Sequence, residues 1–395
     1  QSTGKPIYNA IVWQCRRTHD TCQTLSSKKS MIKSKTGLFL DPYFSATKIN
    51  WILSNVSGYD IDTLKFGTVD TWILWHLTNK KVHATDPSNA SRTLLYNIHT
   101  LDYDEELLSL FSVPKSILPD VKPSSGHFGK TVDGIPILGV IGDQQAALFT
   151  QCGTDTTTFK NTYGTGLFIV SNTGSHIPKT DRLINTIAWQ LNNKITYALE
   201  GSVFVGGSAI QWLRDGLGLI QSASETSEMA LSLSDNGGVY FVPALVGLGA
   251  PYWNSEARGQ LTGLTRGTTP SHIVRATLES LAYQTRDIME EITRTLPDTS
   301  FAALRVDGGA TDNSFLMQFQ ADILGLEIHR PRVTETTAFG AAAMAALATG
   351  FWNQQDLSGL NPIDTVYTPT MSSEEATLYY SDWQAAISKC LTPLS

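Results

Sequence analysis

Asp143 follows the apolar run Ile135-Pro136-Ile137-Leu138-Gly139-Val140-Ile141 and a glycine, and it precedes Gln144-Gln145. The run predicts a buried strand ending at Gly142, with Ala146-Ala147-Leu148-Phe149 starting a helix. A carboxylate at that junction lies outside a sheet edge, where open α/β sheets put their chemistry. Further on, Gly164-Thr165-Gly166 separates two β-type runs, Thr158 to Tyr163 and Leu167 to Val170. That pattern predicts a hairpin whose tip offers backbone N–H groups and one hydroxyl to a phosphate. A carboxylate and such a turn suit an enzyme that takes a proton from a hydroxyl beside a phosphate.

Two more glycine turns, Gly206-Gly207-Ser208 and Gly308-Gly309-Ala310, each follow a β-like run and open a helix. Without Cβ atoms the backbone can approach an anion or a flat ring, and helix N-termini favour negative charge. Any one of these turns alone reads as a tight turn. The three together, with Asp143 upstream, point to nucleotide binding. There is no GxxxxGK[ST] and no well-placed GxGxxG, so P-loop and dinucleotide-fold readings fail. His99, His176 and His272 stand apart and read as surface or satisfied core residues. Arg275 and Arg286 read as solvated or ion-paired.

The elements that must position these residues read as α/β. Ile7 to Trp13 predicts a strand, Thr18 to Ser34 a polar helix, and Tyr43 to Val56 a stronger one. Asp70 is the expected cap of a helix from Trp72 to Leu77. Pro119 to Gly134, rich in Pro, Ser and Gly, predicts a surface connection. In the second half, strands are expected at Ile195–Glu200, Val239–Pro243 and Leu304–Asp307. Helices are expected at Gly206–Leu217, Ser271–Thr295 (capped by Ser271), Asn313–Ile323 and Ala338–Ala348.

A chain of 395 residues exceeds one core and suggests two domains. We place the boundary between residues 152 and 153, giving domains 1–152 and 153–395. Hydrophobic content of 41% with 16% charged residues fits a globular chain rather than a disordered one. A net charge of −7 supplies no basic footprint for nucleic acid. No apolar run approaches the ~18 residues of a membrane span, and no signal peptide is visible. Cys15, Cys22, Cys152 and Cys390 lack metal-ligand spacing and read as thiols of a cytoplasmic protein.

With these residues in view, the chain resembles the glycerol-phosphorylating members of the FGGY carbohydrate kinase family. The likeness runs nearly end to end, through Asn9-Ala10-Ile11-Val12-Trp13-Gln14-Cys15-Arg16-Arg17, Asp41-Pro42-Tyr43-Phe44-Ser45, Asn89-Ala90-Ser91-Arg92-Thr93 and Gly142-Asp143-Gln144-Gln145-Ala146-Ala147. It continues through Lys160 to Gly166, Gln211-Trp212-Leu213-Arg214-Asp215, Gly259 to Glu279 and Arg305 to Ala310. The resemblance implies an actin-like ATPase (ribonuclease H-like) two-domain α/β fold. It also implies ATP-dependent phosphorylation of glycerol to sn-glycerol 3-phosphate, with Mg²⁺ accompanying ATP. By the same likeness Asp143 is the general base and a possible water-mediated Mg²⁺ contact. Trp13, Tyr43 and Phe168 match an aromatic wall against the carbon side of glycerol, and Gln144 a hydroxyl contact. Gly164, Thr165, Gly207, Gln211, Gly309, Ala310 and Asn313 match nucleotide contacts. Taken singly, each aromatic would read as core. A homodimer or homotetramer is implied when the protein is complete.

The sequence departs from the family at its start. The Asp-x-Gly-Thr phosphate hairpin and the Arg-Glu pair that open the family's first lobe are not present from Gln1 onward, and there is no initiator Met. The expectation is an N-terminally truncated first domain and weak or no turnover by this chain. The fructose 1,6-bisphosphate loop of some bacterial relatives is not recognisable. Two other readings are a kinase of another polyol or sugar and a non-catalytic nucleotide-binding remnant.

Overall fold

The computed structural model describes residues 3–359 and 361–391. Gln1, on which the expectation of a truncated first domain rests, lies outside them. A mixed sheet carries the second half of the chain. Its strands are β1 (Thr158–Tyr163), β2 (Leu167–Gly174), β3 (Ile184–Leu191), β4 (Lys194–Val203), β5 (Ala303–Asp307), β6 (Glu327–Pro331) and β7 (Ile363–Tyr367). They lie in the order β7-β6-β5-β1-β2-β4-β3. β1, β2, β4 and β3 pair antiparallel, whereas β5 runs parallel to both β1 and β6. β7 closes the other edge antiparallel to β6.

Helices cover both faces. We label them α1 (Ser45–Asn55), α2 (Val69–Leu77), α3 (Asp143–Cys152), α4 (Gly207–Gln211), α5 (Pro270–Thr295), α6 (Ser314–Leu324), α7 (Thr336–Thr349) and α8 (Ser373–Leu391). Successive side chains of a strand point to opposite faces. Phe159, Tyr163, Leu167, Ile169, Leu199 and Val203 therefore share one face, buried with Leu281, Ile288, Leu316 and Trp383 of α5, α6 and α8. Val170 and Ala198 face the other way, onto Leu148 and Phe149 of α3 and Ala343 and Met344 of α7. Residues 22–118 build a separate core around Ile32, Phe44, Leu95 and Phe111, which docks on Ile184 and Ile187 of the edge strand β3.

α3 and α7 cross closely because Gly340 has no side chain. A Cβ there would lie 2.6 Å from the Ala146 carbonyl carbon. That crossing fixes the helix whose first residue is Asp143.

Several sequence expectations need correction. Ile7 to Trp13 forms no strand, and Ile7, Tyr8 and Val12 are exposed. Residues 135–141 are not a buried strand either. They run half-buried alongside residues 124–130 through isolated bridges, because Pro136 has no N–H and Ile135 faces solvent. The polar helix expected over 18–34 is broken into His19–Thr24, a 3-10 turn and Lys29–Thr36. Thr68, not Asp70, is the N-cap residue of α2; Asp70 lies in its first turn and accepts from the Thr68 and Thr85 hydroxyls. α5 is capped by Thr269, in a capping box with His272, not by Ser271. The connection 119–134 is partly internal, with Ser124 buried against Asp86 at 2.6 Å. The helix expected over 206–217 is the short α4 followed by a π-turn over Trp212–Gly216.

Candidate active site

The register of the sheet assembles the site. Directly paired residues share a face, so Asp307, Thr162, Phe168 and Ser202 form one row across β5, β1, β2 and β4. Arg305, Lys160, Val170 and Glu200 form the adjacent row. This is the face that α3 covers, and α3 begins with Asp143.

Asp143 is exposed at the first helical position after Gly142. Its Oδ1 accepts from the Gln144 backbone N–H at 2.8 Å, and its Oδ2 lies 3.4 Å from Gln144 Nε2. An acidic group in the first turn also suits the helix dipole, although Gly142, not Asp143, is the N-cap residue. Beneath it lies Lys160, whose side chain has no solvent exposure. Its ammonium donates to Gln144 Oε1 and, at 2.7 Å, to Thr162 Oγ1. Burial lowers the Lys160 pKa, opposed by the nearby Asp307, Asp143 and Glu200 carboxylates.

The three aromatic residues expected to form a wall do meet. Trp13 packs edge-on against Tyr43 at 5.4 Å and Phe168 at 6.3 Å between ring centroids. Phe204 extends the wall by stacking on Tyr43 at 6.5 Å. Trp13 lies in an irregular segment, and a lysine of α1 holds that segment. Lys48 Nζ donates at 3.0 Å to both the Val12 and the Tyr43 carbonyl oxygens. Burial lowers the Lys48 pKa to about 8 and raises that of Tyr43 to about 12. Behind Tyr43, Arg92 forms a two-pronged ion pair with the fully buried Glu200 of β4, at 2.9 and 2.8 Å. A cavity of about 130 Å³ is lined by Arg16, Asp41, Phe204 and Trp253, and Asp143 is not part of its lining.

The glycine turns converge at the carboxyl ends of β1 and β5. Gly308 adopts φ +90°, and a Cβ there would lie 2.8 Å from the Tyr163 carbonyl carbon. Gly309 faces open space, Ala310 is half-buried beside it, and Gly164 and Thr165 are exposed. The second turn differs from expectation. Gly206 and Gly207 donate their N–H groups to the Thr165 and Gly164 carbonyls, both at 2.8 Å, so these amides clamp the hairpin instead of facing an anion. Gly207 can still leave room, since it lacks a Cβ. Gln211 is exposed at the end of α4. Asn313 caps α6 through Leu316 N–H and donates to Thr226 Oγ1 at 2.9 Å, so its side chain is rigidly held.

Sequence reasoning gave no role to Lys160, Lys48, Phe204, Asp307 or the Arg92–Glu200 pair. Lys160 stands among Thr158, Asn161 and Thr162, so only the strand pairing reveals that it is buried and needs partners. Among the described residues no three His, Cys, Asp or Glu side chains gather to hold a metal ion. One exposed carboxylate, Asp143, fits an ion held mainly by phosphate and water.

This fold and site belong to a class with recognisable members. The family model described as the FGGY family of carbohydrate kinases, N-terminal domain, matches residues 1–150, and the C-terminal domain matches residues 159–349. The chain belongs to the FGGY family of carbohydrate kinases. It is 54% identical to glycerol kinase 2 of Thermotoga maritima, over 99% of this chain and 81% of that protein. It is similarly 51% identical to the glycerol kinase of Aquifex aeolicus, over 99% and 82%. The crystal structure of Plasmodium falciparum glycerol kinase with ADP superposes with a TM-score of 0.90 at 38% identity, over 99% of this chain and 81% of that one. Among the described residues no helix is long and apolar enough to cross a membrane.

Proposed function

We propose that the chain transfers the γ-phosphoryl group of ATP to glycerol, giving sn-glycerol 3-phosphate, with Asp143 as general base. One observation carries the reading. A single sheet face links Asp143 and Gln144, through Lys160 and Thr162, to Phe168 of the aromatic wall, while β1, β4 and β5 run on into the three glycine turns. A small triol needs an apolar side and a few fixed polar groups, and Trp13, Tyr43 and Phe168 with Gln144 supply both. Phosphoryl transfer needs positioning, charge neutralisation and one acceptor for the hydroxyl proton. Relatives named glycerol kinase at 51–54% identity support glycerol over another polyol. Gly164, Thr165, Gly207, Gln211, Gly309, Ala310 and Asn313 are assigned to ATP.

Magnesium, when bound, neutralises charge on the transferring phosphate, and Asp143 would hold it through water. The same reading divides the chain at residues 152 and 153, supported by Gly153 ending α3 in a conformation with φ +54°. It includes a cytoplasmic location, where ATP is supplied, and a homodimer or homotetramer. Asp143→Asn tests the chemistry. Its expected effect is a kcat loss of roughly 10²–10⁴-fold, the usual contribution of a general base, with glycerol binding retained. A polyol panel in which the chain binds or phosphorylates another polyol in preference to glycerol would refute the reading.

A further inference from the structure

The contacts of Lys160 decide something about Gln144 that its own position does not. An amide side chain has one acceptor and one donor end, and either can face a ligand. An ammonium has three donors and no acceptor. Lys160 meets Gln144 at Oε1, so the NH₂ end is turned the other way, toward Asp143 Oδ2 at 3.4 Å. The reverse orientation would set NH₂ against the buried NH₃⁺ and leave that ammonium hydrogen without an acceptor, at the cost of an unpaired buried donor. Lys160 cannot swing away, because Thr162 Oγ1 anchors it at 2.7 Å and the side chain is fully enclosed. The carboxylates around it, Asp143 on α3, Glu200 on β4 and Asp307 on β5, favour its charged form, while Cys152 on α3 lies on the same side.

We propose that Lys160 is a positioning residue that locks the Gln144 amide so that it presents a hydrogen-bond donor, never an acceptor, to a substrate hydroxyl beside Asp143. The site then offers the bound polyol two complementary groups side by side: a carboxylate that accepts the reacting hydroxyl's proton, and an amide that donates to the neighbouring hydroxyl oxygen. This selects adjacent hydroxyls and disfavours a substrate with a donor-only group, such as an ammonium, at the second position. The inference rests on the assignment of this site to a polyol phosphoryl transfer.

A double-mutant comparison with the whole 395-residue chain tests it, read by glycerol titration in a calorimeter and by steady-state kinetics. Lys160→Met is expected to weaken glycerol binding roughly 10–100-fold with the KM for ATP unchanged, because the amide is freed to turn. In a Gln144→Ala background the same Lys160→Met change should have little further effect. Equal losses in both backgrounds would make Lys160 a structural residue only and overturn the proposal. Gln144→Glu gives a test that does not depend on the lysine variant folding. It keeps an acceptor for Lys160 but removes the donor, so it should lose at least as much glycerol affinity as Gln144→Ala. Wild-type affinity in Gln144→Glu would overturn the orientation while leaving the kinase reading intact. A wild-type chain that neither binds nor phosphorylates glycerol would remove the functional reading, and this inference with it.

Discussion

Arg92 and Glu200 offer a sharp energetic test of how the two halves of the chain are joined. Arg92 follows the short helix Pro87–Ala90 in the region matched by the N-terminal domain model, and Glu200 sits on β4, next to the edge strand β3, in the region matched by the C-terminal one. Both guanidinium prongs are engaged at 2.9 and 2.8 Å, and Glu200 also accepts from Ser202 Oγ at 2.8 Å. Glu200 has no solvent exposure. Removing the arginine leaves a buried carboxylate with Ser202 as its hydrogen-bond donor and only the nearby Lys160 charge, a change that typically costs about 3–5 kcal/mol. Replacing both charges by apolar side chains of similar volume is often close to neutral. Arg92→Met should therefore destabilise strongly, and Arg92→Met with Glu200→Met should recover most of the loss.

The size of the thermal effect follows from the chain's length. At about 2.1 cal/mol/K per residue, unfolding 395 residues together carries an entropy near 0.8 kcal/mol/K. A loss of about 3–5 kcal/mol then lowers Tm by about 4–6 °C. Calorimetry on wild type, both single variants and the double variant measures this directly. The guanidinium also lies 5.8 Å from the Tyr43 ring centroid, behind the aromatic wall. Glycerol affinity should thus stay impaired in the double variant even where stability returns. If Arg92→Met melts within a degree of wild type, or the double variant melts below both singles, the argument from unpaired charge is wrong.

Two further expectations concern stability. Gly340→Val should cost about 1–3 kcal/mol or more by forcing α7 off the Ala146 carbonyl, and should slow turnover by displacing Asp143, which lies within one turn of Ala146 at the start of α3; denaturant midpoints equal to wild type would contradict the close crossing. Asp287 is buried, accepts from Tyr380, Trp383 and Gln384 of α8, and is pushed up to about 6 by burial. A folded-state pKa above the unfolded value near 3.9 favours the protonated native state, so this group's contribution is fully present below about pH 4 and is lost as pH rises through 6. Relative to Asp287→Asn, wild type should lose about 3 kcal/mol of stability between pH 3 and 7, and a pH-independent difference in denaturation free energy would sink the assignment.

How far the sequence could be read depended on whether the signal was local. The long helices α5, α6 and α7 were legible because an apolar stripe or a small-residue run repeats over several turns within one segment. The hairpin at Gly164–Gly166 was legible because its turn and both flanking strands lie within a short stretch. Ile7–Trp13 and Ile135–Ile141 failed for a shared reason. An apolar run becomes a strand only where another strand supplies hydrogen bonds, and that partner is not written in the run itself. Residues 135–141 meet residues 124–130 through isolated bridges, which suffices for an extended path but not a ladder.

The site divides along the same line. Asp143 could be found because its surroundings in sequence, a glycine before it and an alanine-rich helix after it, already describe a helix start. The use of Gly207 could not, because whether an amide is free for phosphate depends on what else it binds. Here the Gly164 carbonyl, more than forty positions away in the chain, has already taken it. Lys160 is the clearest case. Within its strand it looks like an unremarkable polar interruption, and its role arises only when the register sets Glu200 and Asp307 about it and α3 lowers Gln144 onto its ammonium. Residues that touch a ligand tend to stand in distinctive local motifs, because the ligand constrains the backbone there. Residues that orient them are constrained by partners from other elements, and so become visible only once the fold has brought those partners together.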